Sequence, residues 1–325
     1  MLFSIVIPNW NGQKFLDKCL RSLQKQTLKD FEIIVVDNSS SDDSVPFIKK
    51  NYPGARILEL PKNLGFAAAA NRGIKEAGGD LIALLNNDTE ADKNWLEQIK
   101  QAADENPEAG FFASKMLDFK NHSIIDSCGV GITWAGRSFN IGLGEKDSAK
   151  YEKNAYVFGA CGGAAIYRKE LLNQIGLFDE DYFMYMEDVD LSFRAQIAGF
   201  KCLYVADAKV YHLGSGSSGG ALSPFAFRLY TRNRWLFIFK NFPCIRICLN
   251  LHRIIYSELR YFSAALRDHF VKEFIQAKFS FLMNIGKFIK KRKQIRNSYK
   301  VTDKYMDEII AKEFDYRPIP KAITK

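Results

Sequence analysis

From residue 3 to residue 88, short apolar runs rich in Val, Ile and Leu alternate with segments whose apolar residues fall three and four apart. No other feature of the chain constrains its fold as strongly. Two strands can pair in parallel only if a crossover, usually a helix, returns the chain to the same end of the sheet. This alternation therefore predicts successive βαβ units and a mostly parallel sheet flanked by helices, an α/β fold. The pattern places strands at Phe3 to Pro8, Phe31 to Val36, Arg56 to Leu60 and Leu81 to Leu85. Helices are expected over Gln13 to Gln26, from the NSSSDD turn to about Lys50, and over Ala67 to Ala77. The first helix carries Phe15, Leu16, Cys19, Leu20 and Leu23, a one-sided apolar stripe.

Open parallel sheets bind ligands beyond the carboxyl ends of their strands. Asp37 and Asp88 each stand directly after a predicted strand, although an Asp there can equally cap the following turn. Residues 105 to 160 are punctuated by Gly129, Gly131, Gly136, Gly142 and Gly144 and read as loops with an antiparallel edge. The stretch from Gly159 to His212 then reads turn, strand, helix, acidic loop, helix, strand. Beyond GSGSSGGALSP the composition changes to long helical stretches rich in Phe, Tyr, Leu and Arg. That shift predicts a first domain over residues 1–222 and a basic amphipathic helical extension over 223–325.

The 325 residues suffice for one large core plus an appendage. With 47% hydrophobic and 26% charged residues, disorder and fibrous repeats are excluded. The formal charge of +9 gathers late in the chain and culminates in Lys287, Lys290, Lys291, Arg292, Lys293 and Arg296. Such a run is either a solvated helix face or a contact for a membrane or other polyanion; no nucleic-acid partner is expected. Six scattered cysteines without CxxC spacing read as reduced core residues. No secretory leader opens the sequence, and the apolar run Trp235 to Phe239 is far too short to span a bilayer. The expected location is cytoplasmic, with at most peripheral attachment to the inner face of the cytoplasmic membrane.

Between positions 179 and 190 stand Asp179, Glu180, Asp181, Glu187, Asp188 and Asp190. Like charges this dense repel unless they meet a cation, a hydroxyl to be deprotonated or a helix N-terminus. Glu187 and Asp188 open a predicted helix. Capping accounts for one of them, and a carboxylate there can also act as general base toward a sugar hydroxyl, Asp188 being preferred over Glu187. His212 ends a strand beside a glycine-rich loop and, with Asp88, could ligate a divalent metal that neutralises a diphosphate. In NLGFAAAANRG, Gly65 and the small residues after it permit either close helix packing or close ligand approach, and Arg72 either meets a phosphate or lies on the surface. GACGGA, with Gly162 and Gly163, is a similarly small-residue segment.

In this order, SIVIPNWNG, VVDNSSSD, NLGFAAAANRGI, LLNNDT, GACGGAAIYRKELLNQIGLFDEDYFMYMEDVDLSFRAQIAG and VYHLGSGS resemble the family 2 glycosyltransferases, inverting enzymes of GT-A fold, and within them the rhamnosyltransferase-like branch. The resemblance covers most of residues 3 to 217. It implies a nucleotide-sugar pocket formed by Pro8, Asn9, Trp10, Asn11, Asp37, Asn38, Gly65, Arg72, Asn87 and Asp88, with Asp37 accepting the imide NH of a pyrimidine. It implies Asp188 as catalytic base with Glu187 beside it, an acceptor site at Gly162, Gly163 and Glu187, and Mg2+ or Mn2+ held by Asp88 and His212. Asn86 replaces the first acid of the family's DxD-like motif, so the metal would lean on diphosphate oxygens, water and His212. The implied reaction is a single in-line transfer from a nucleoside diphosphate sugar, with thymidine-diphosphate rhamnose the expected donor, to a glycan or lipid-linked glycan of a surface polysaccharide. A nucleotidyltransferase and a non-catalytic scaffold are the competing readings.

Overall fold

In the computed structural model, which describes residues 2–214 and 223–311, the opening alternation becomes β1 (Phe3–Asn9), α1 (Gln13–Gln24), β2 (Phe31–Asp37), α2 (Ser44–Asn51), β3 (Arg56–Glu59), α3 (Phe66–Glu76) and β4 (Leu81–Leu85). Each lies within a residue or two of its expected place. The chain continues through β5 (Thr89–Ala91), α4 (Trp95–Glu105), β6 (Ala109–Asp118), β7 (Ile125–Ser127), β8 (Val130–Ile132) and β9 (Ser138–Asn140). Then follow β10 (Ala155–Val157), β11 (Ala164–Arg168), α5 (Lys169–Ile175), α6 (Glu187–Ile197) and β12 (Lys201–His212). The main sheet has the order β10-β12-β6-β11-β4-β1-β2-β3, parallel except for β11 and the edge strand β10.

Side chains of a strand alternate between its faces, and β1 shows the consequence. Phe3, Ile5 and Ile7 pack with Leu16 and Leu20 of α1 and Trp95 of α4, while Val6 packs with Ala67, Ala70 and Ile74 of α3 on the opposite side. The small residues of α3 serve this packing. A Cβ on Gly73 would lie 2.3 Å from a methyl of Val6, so only glycine lets the helix lie this close to β1.

The region read as loops contains a central strand. All of β6 except Asp118 is buried, and it lies between β11 and β12. Its sequence, AGFFASKMLD, lacks β-branched residues and does not alternate because both faces are covered. Lys115, near its middle, is buried and pairs with Asp147 at 2.9 Å.

The extension forms α7 (Pro224–Asn241), α8 (Cys244–Leu249), α9 (Leu251–Arg267), α10 (Val271–Met283), α11 (Ile285–Arg296) and α12 (Asp303–Ile309). Ser223 caps α7 by accepting from Ala226 N, with Pro224 opening the helix. Within the extension expected to be basic and amphipathic, α7 is covered nearly all round, and Thr231, Asn233 and Arg234 are among its fully buried residues. It is sandwiched between α6 and the later helices. One hydrophobic cluster joins Met186, Val189, Phe193 and Ile197 to Leu236, Phe237, Phe288, Ile295 and Met306. Phe193 of α6 meets the rings of Phe237, Phe242 and Tyr299 at 5.5, 6.0 and 6.3 Å. A Phe193→Ala substitution should therefore lower stability by about 3–5 kcal/mol while leaving a single denaturant transition. Two separated transitions, only one of them shifted, would contradict a core shared by both segments.

Candidate active site

At β1 and β4 the sheet changes winding direction, and the loops there build a pocket of about 360 Å³ whose lining includes Pro8, Trp10, Asn38, Gly65, Phe66 and Phe183. Asn9, at the end of β1, is its keystone. Its Nδ2 donates to Asp37 Oδ1 (3.1 Å) and Ser40 Oγ (3.2 Å), and its Oδ1 accepts from Asn87 Nδ2 (2.7 Å). Gly12 makes room for this pair, since a Cβ there would lie 2.0 Å from Asn87 Nδ2. Asn38 donates to Asn63 Oδ1 and Gly65 O and accepts from Leu64 N, so it shapes the loop before α3.

A second cleft of about 420 Å³ adjoins the first through Pro8, Phe66 and Met184. At one side stand Asp88 and His212. They meet because β5, which directly follows the NND turn, pairs with the end of β12 so that Thr89 faces His212. His212 Nε2 lies 3.4 Å from Asp88 Oδ1, and its Nδ1 hydrogen-bonds Asp126 Oδ2 at 2.9 Å. Burial disfavours the charged imidazole, but the hydrogen bonds and charges of Asp126 and Asp88 outweigh it and lift the pKa to about 10. Asp126 lies on β7, held against the end of β6. It belongs to a glycine-punctuated segment without periodicity, and no sequence signal singles it out.

At the other side, Glu187 and Asp188 occupy the first turn of α6. Asp188 Oδ2 accepts from Gly162 N (2.9 Å) and its Oδ1 from Val189 N (2.8 Å). Burial raises its pKa despite these donors. Glu187 is 6% exposed and its Oε2 has no hydrogen-bond partner. Burial, followed by the neighbouring charge of Asp188, pushes its carboxyl well above the ordinary range. Three of the loop's other acids meet cations of the protein itself: Asp179 pairs with Lys240 and Lys291, Asp181 with Lys287 and Lys291, and Asp190 with Lys240 and Arg194. Glu180 accepts from Asn71.

The expected residues thus divide. Pro8, Asn9, Trp10, Asn38 and Gly65 line the first pocket, and Asn87, Asp88, Gly162, Gly163, Glu187, Asp188 and His212 line the second. Asn11 instead bridges to Ser40 and Ser41. Asp37 is 3% exposed, and its oxygens are engaged by Asn9 Nδ2 and Ser40 N, the turn-holding alternative. Arg72 is half exposed and pairs with Glu76 at 3.1 Å, so the structure does not bring it to the clefts. Gly65 has a second constraint: with φ of 86°, an added Cβ would lie 2.5 Å from Phe183 O. Ser138 and Asn140 of β9 and Tyr230 of α7 complete the second cleft, and the sequence did not mark them.

The raised Glu187 pKa makes the sign of its effect on stability definite. The folded state binds this proton more tightly than the unfolded state, so Glu187 weakens the fold increasingly as pH rises above the unfolded-state value of about 4.3. Glu187→Gln should unfold at a higher denaturant midpoint than the parent at pH 7, with the gain disappearing below about pH 4. Equal midpoints across that range would rule out a proton held by burial.

The sequence profile of glycosyl transferase family 2 matches residues 4–176, more than half of the chain. The N-acetylglucosaminyl-diphospho-decaprenol L-rhamnosyltransferase of Mycobacterium tuberculosis is 27% identical over 240 residues, covering 66% of this chain and 77% of that protein. In three dimensions, Staphylococcus aureus TarS 1–349 in complex with UDP-GlcNAc superposes with a TM-score of 0.53 at 20% identity, over 95% of this chain and 84% of TarS 1–349. GalNAc-T7 with UDP, GalNAc and Mn2+ gives 0.59 at 17% identity, over 74% of this chain and 50% of that one. With the strand order and the paired clefts, these matches make the chain a glycosyltransferase of GT-A fold that belongs to glycosyl transferase family 2.

Proposed function

We propose that this enzyme transfers a sugar, with inversion, from a nucleoside diphosphate donor to a hydroxyl of a lipid-linked glycan in surface-polysaccharide synthesis, the donor being thymidine-diphosphate rhamnose. The observation that carries the reading is the convergence of Asp88, His212 and Asp188 on one cleft that opens into the pocket at the ends of β1 and β2. Donor sugar and acceptor class take their support from the mycobacterial relative, whose name specifies an L-rhamnosyl group and a diphospho-decaprenol acceptor.

In this reading Asp188 takes the proton of the acceptor hydroxyl while that oxygen attacks the anomeric carbon. The bond to the diphosphate breaks on the opposite face, and the nucleoside diphosphate leaves with the electron pair. Glu187, whose carboxyl is pushed by burial toward its protonated form, would donate a hydrogen bond to the acceptor. Asp88 and His212 would hold a divalent cation that displaces the proton from Nε2: one carboxylate oxygen and this imidazole nitrogen face each other, and Asp126 anchors the second ring nitrogen, an arrangement that orients metal-bound histidines. Mg2+ or Mn2+ bound there would neutralise charge on the departing diphosphate. With Asn86 in place of an acid, the remaining ligands would be diphosphate oxygens and water. Asp188→Asn should reduce nucleoside diphosphate release by roughly 10² to 10⁴-fold while leaving donor binding intact. In the parent, activity should fall on the acid side as Asp188 takes up its proton. Wild-type turnover by Asp188→Asn would remove this mechanism.

A membrane surface completes the proposal. No helix among the described residues is long and apolar enough to cross a bilayer. On α9, Ile254, Tyr261, Ala264 and Ala265 are buried while Leu251, Ile255, Leu259, Phe262 and Leu266 form an exposed stripe; α10 adds Ile275, Phe279, Leu282 and Met283. Residues 223–311 hold 18 Lys and Arg against 6 Asp and Glu. Apolar faces with basic neighbours suit the interface of an anionic bilayer, which would place the enzyme on the inner face of the cytoplasmic membrane beside its acceptor. The protein should co-sediment with vesicles containing anionic phospholipid. Phe279→Asp with Leu282→Asp should abolish co-sedimentation without shifting the thermal midpoint, and unchanged binding by that variant would rule out this face.

A further inference from the structure

Between Tyr182 and Asp188 the backbone takes a course that residues with side chains avoid. Phe183, Tyr185 and Met186 have φ of 66°, 69° and 67°, a left-handed region that bulky residues rarely enter. Met186 O accepts from Asp190 N at the start of α6, but the carbonyls of residues 183–185 join no helix or strand ladder, and buried carbonyls need donors. One comes from α3, where Ala67 N donates to Phe183 O at 3.1 Å. Three more come from the fully buried Asn233 of α7, whose Nδ2 donates to Tyr182 O (2.9 Å), Met184 O (2.9 Å) and Tyr185 O (2.8 Å); Tyr182 O also accepts from Met184 N (2.8 Å). The neighbouring Arg232 donates through Nη2 to Asp181 O (2.7 Å) and Tyr182 O (2.9 Å). Its guanidinium also holds Asn233 Oδ1 through Nε (2.9 Å) and Nη2 (2.7 Å). With the amide oxygen turned to Arg232, the NH2 group faces the loop, because a guanidinium offers only donors.

We propose that Asn233 is a positioning residue for the catalytic base: its amide clamps residues 182–185 in their left-handed course and so sets the start of α6, with Asp188 against Gly162, at the reacting end of the cleft. The inference rests on the reading of Asp188 as base. Strained backbone at a functional site persists only where its surroundings over-determine it, and Asn233 is the group that gathers three of the loop's carbonyls onto one donor. Without it the loop relaxes toward ordinary φ values, and the direction in which the chain enters α6 changes. A shift of about 1 Å at a reacting group costs roughly 10²-fold in rate. Helix α7 is on this view part of the catalytic machinery, although it lies outside the segment that carries the family's motifs.

The test is Asn233→Asp in the full-length protein, an isosteric change that replaces the donor with a carboxylate facing three carbonyls. The expected result is a fall in kcat of roughly 10²-fold with a donor KM within about threefold of the parent's. Arg232→Leu frees the amide to turn over and should lower kcat by roughly tenfold in the same pattern, which keeps the test decisive should Asn233→Asp fold poorly. Residues that act as a unit are not additive in their effects. Asp188→Asn with Asn233→Asp should therefore be no slower than Asp188→Asn alone. Wild-type kcat in both single variants would overturn the proposal. So would a loss in the Asp188→Asn background equal to that in the parent, because Asn233 would then act elsewhere while the base reading stands. Wild-type turnover by Asp188→Asn would instead remove the base reading itself.

Discussion

The carboxylate of Asp190 is the point on which the site's construction turns. It is fully buried in the first turn of α6, where it meets Arg194 Nε at 3.0 Å, Lys240 Nζ at 2.8 Å, Asn241 Nδ2 at 2.8 Å and the Tyr182 hydroxyl at 3.1 Å. Burial opposes its charge, yet Lys240 and Arg194 win and hold its pKa below the ordinary carboxylate value. Removing one partner from such a buried network leaves an uncompensated charge, which typically costs several kcal/mol. Lys240 also reaches Asp179 at 2.5 Å. One cation of α7 therefore ties together the helix that bears Asp188, the acidic loop before it and the C-terminal helices.

That network separates the acids into two kinds. Asp179, Asp181 and Asp190 have cations of the chain itself and serve to fix geometry. Glu187 and Asp188 have none among the described residues, and burial raises both of their pKa values. Proximity in sequence thus conceals opposite electrostatics. A carboxylate that is desolvated and unpaired is a better proton acceptor than a paired one, so the loop's paired acids keep its unpaired ones in place. At the other side of the second cleft, Asp88 faces one ring nitrogen of His212 and Asp126 holds the other.

How much of this was legible follows from the physics of each element. The first seven elements were readable because strand and helix periods differ and each strand is apolar. In contrast, β6 escaped notice because a strand buried on both faces need not alternate, and this one is built from Ala, Gly, Phe, Ser, Lys and Met. Asp88 and His212 could be named from their places at strand ends, but their meeting depends on the pairing of β5 with β12, a contact across more than a hundred residues. Asp126 could not be named, since a three-residue strand carries no pattern. The sequence left two uses open for the small residues of α3 and two for Asp37. In space, Gly73 of α3 packs on Val6 while Gly65 before it lines the first pocket, and Asp37 accepts from Ser40 N in the turn after β2. The acidic cluster was expected to meet a cation, a hydroxyl or a helix N-terminus, and Asp179, Asp181 and Asp190 meet Lys240, Lys287 and Lys291, between 50 and 112 residues further along the chain.

The basic extension resolves along the same lines. Its charge was one quantity in the sequence, either solvated or facing a polyanion, but in space it has three destinations. Arg232, Arg234 and Lys240 are turned inward, where they hold carbonyls and carboxylates. Lys287 and Lys291, from the run that looked most like a free cationic patch, are consumed by Asp181 and Asp179. Lys290, Lys293 and Arg296 remain exposed, and the large exposed apolar side chains cluster on α8, α9 and α10. A helical extension that served only as an anchor would have no reason to set Arg232 and the buried Asn233 against the carbonyls of residues 181–185. One that served only as a lid would have no reason to leave Phe279 and Met283 65% and 69% exposed. Both features in one set of helices fit an enzyme whose active-site loop is built against the same helices that offer it an apolar surface.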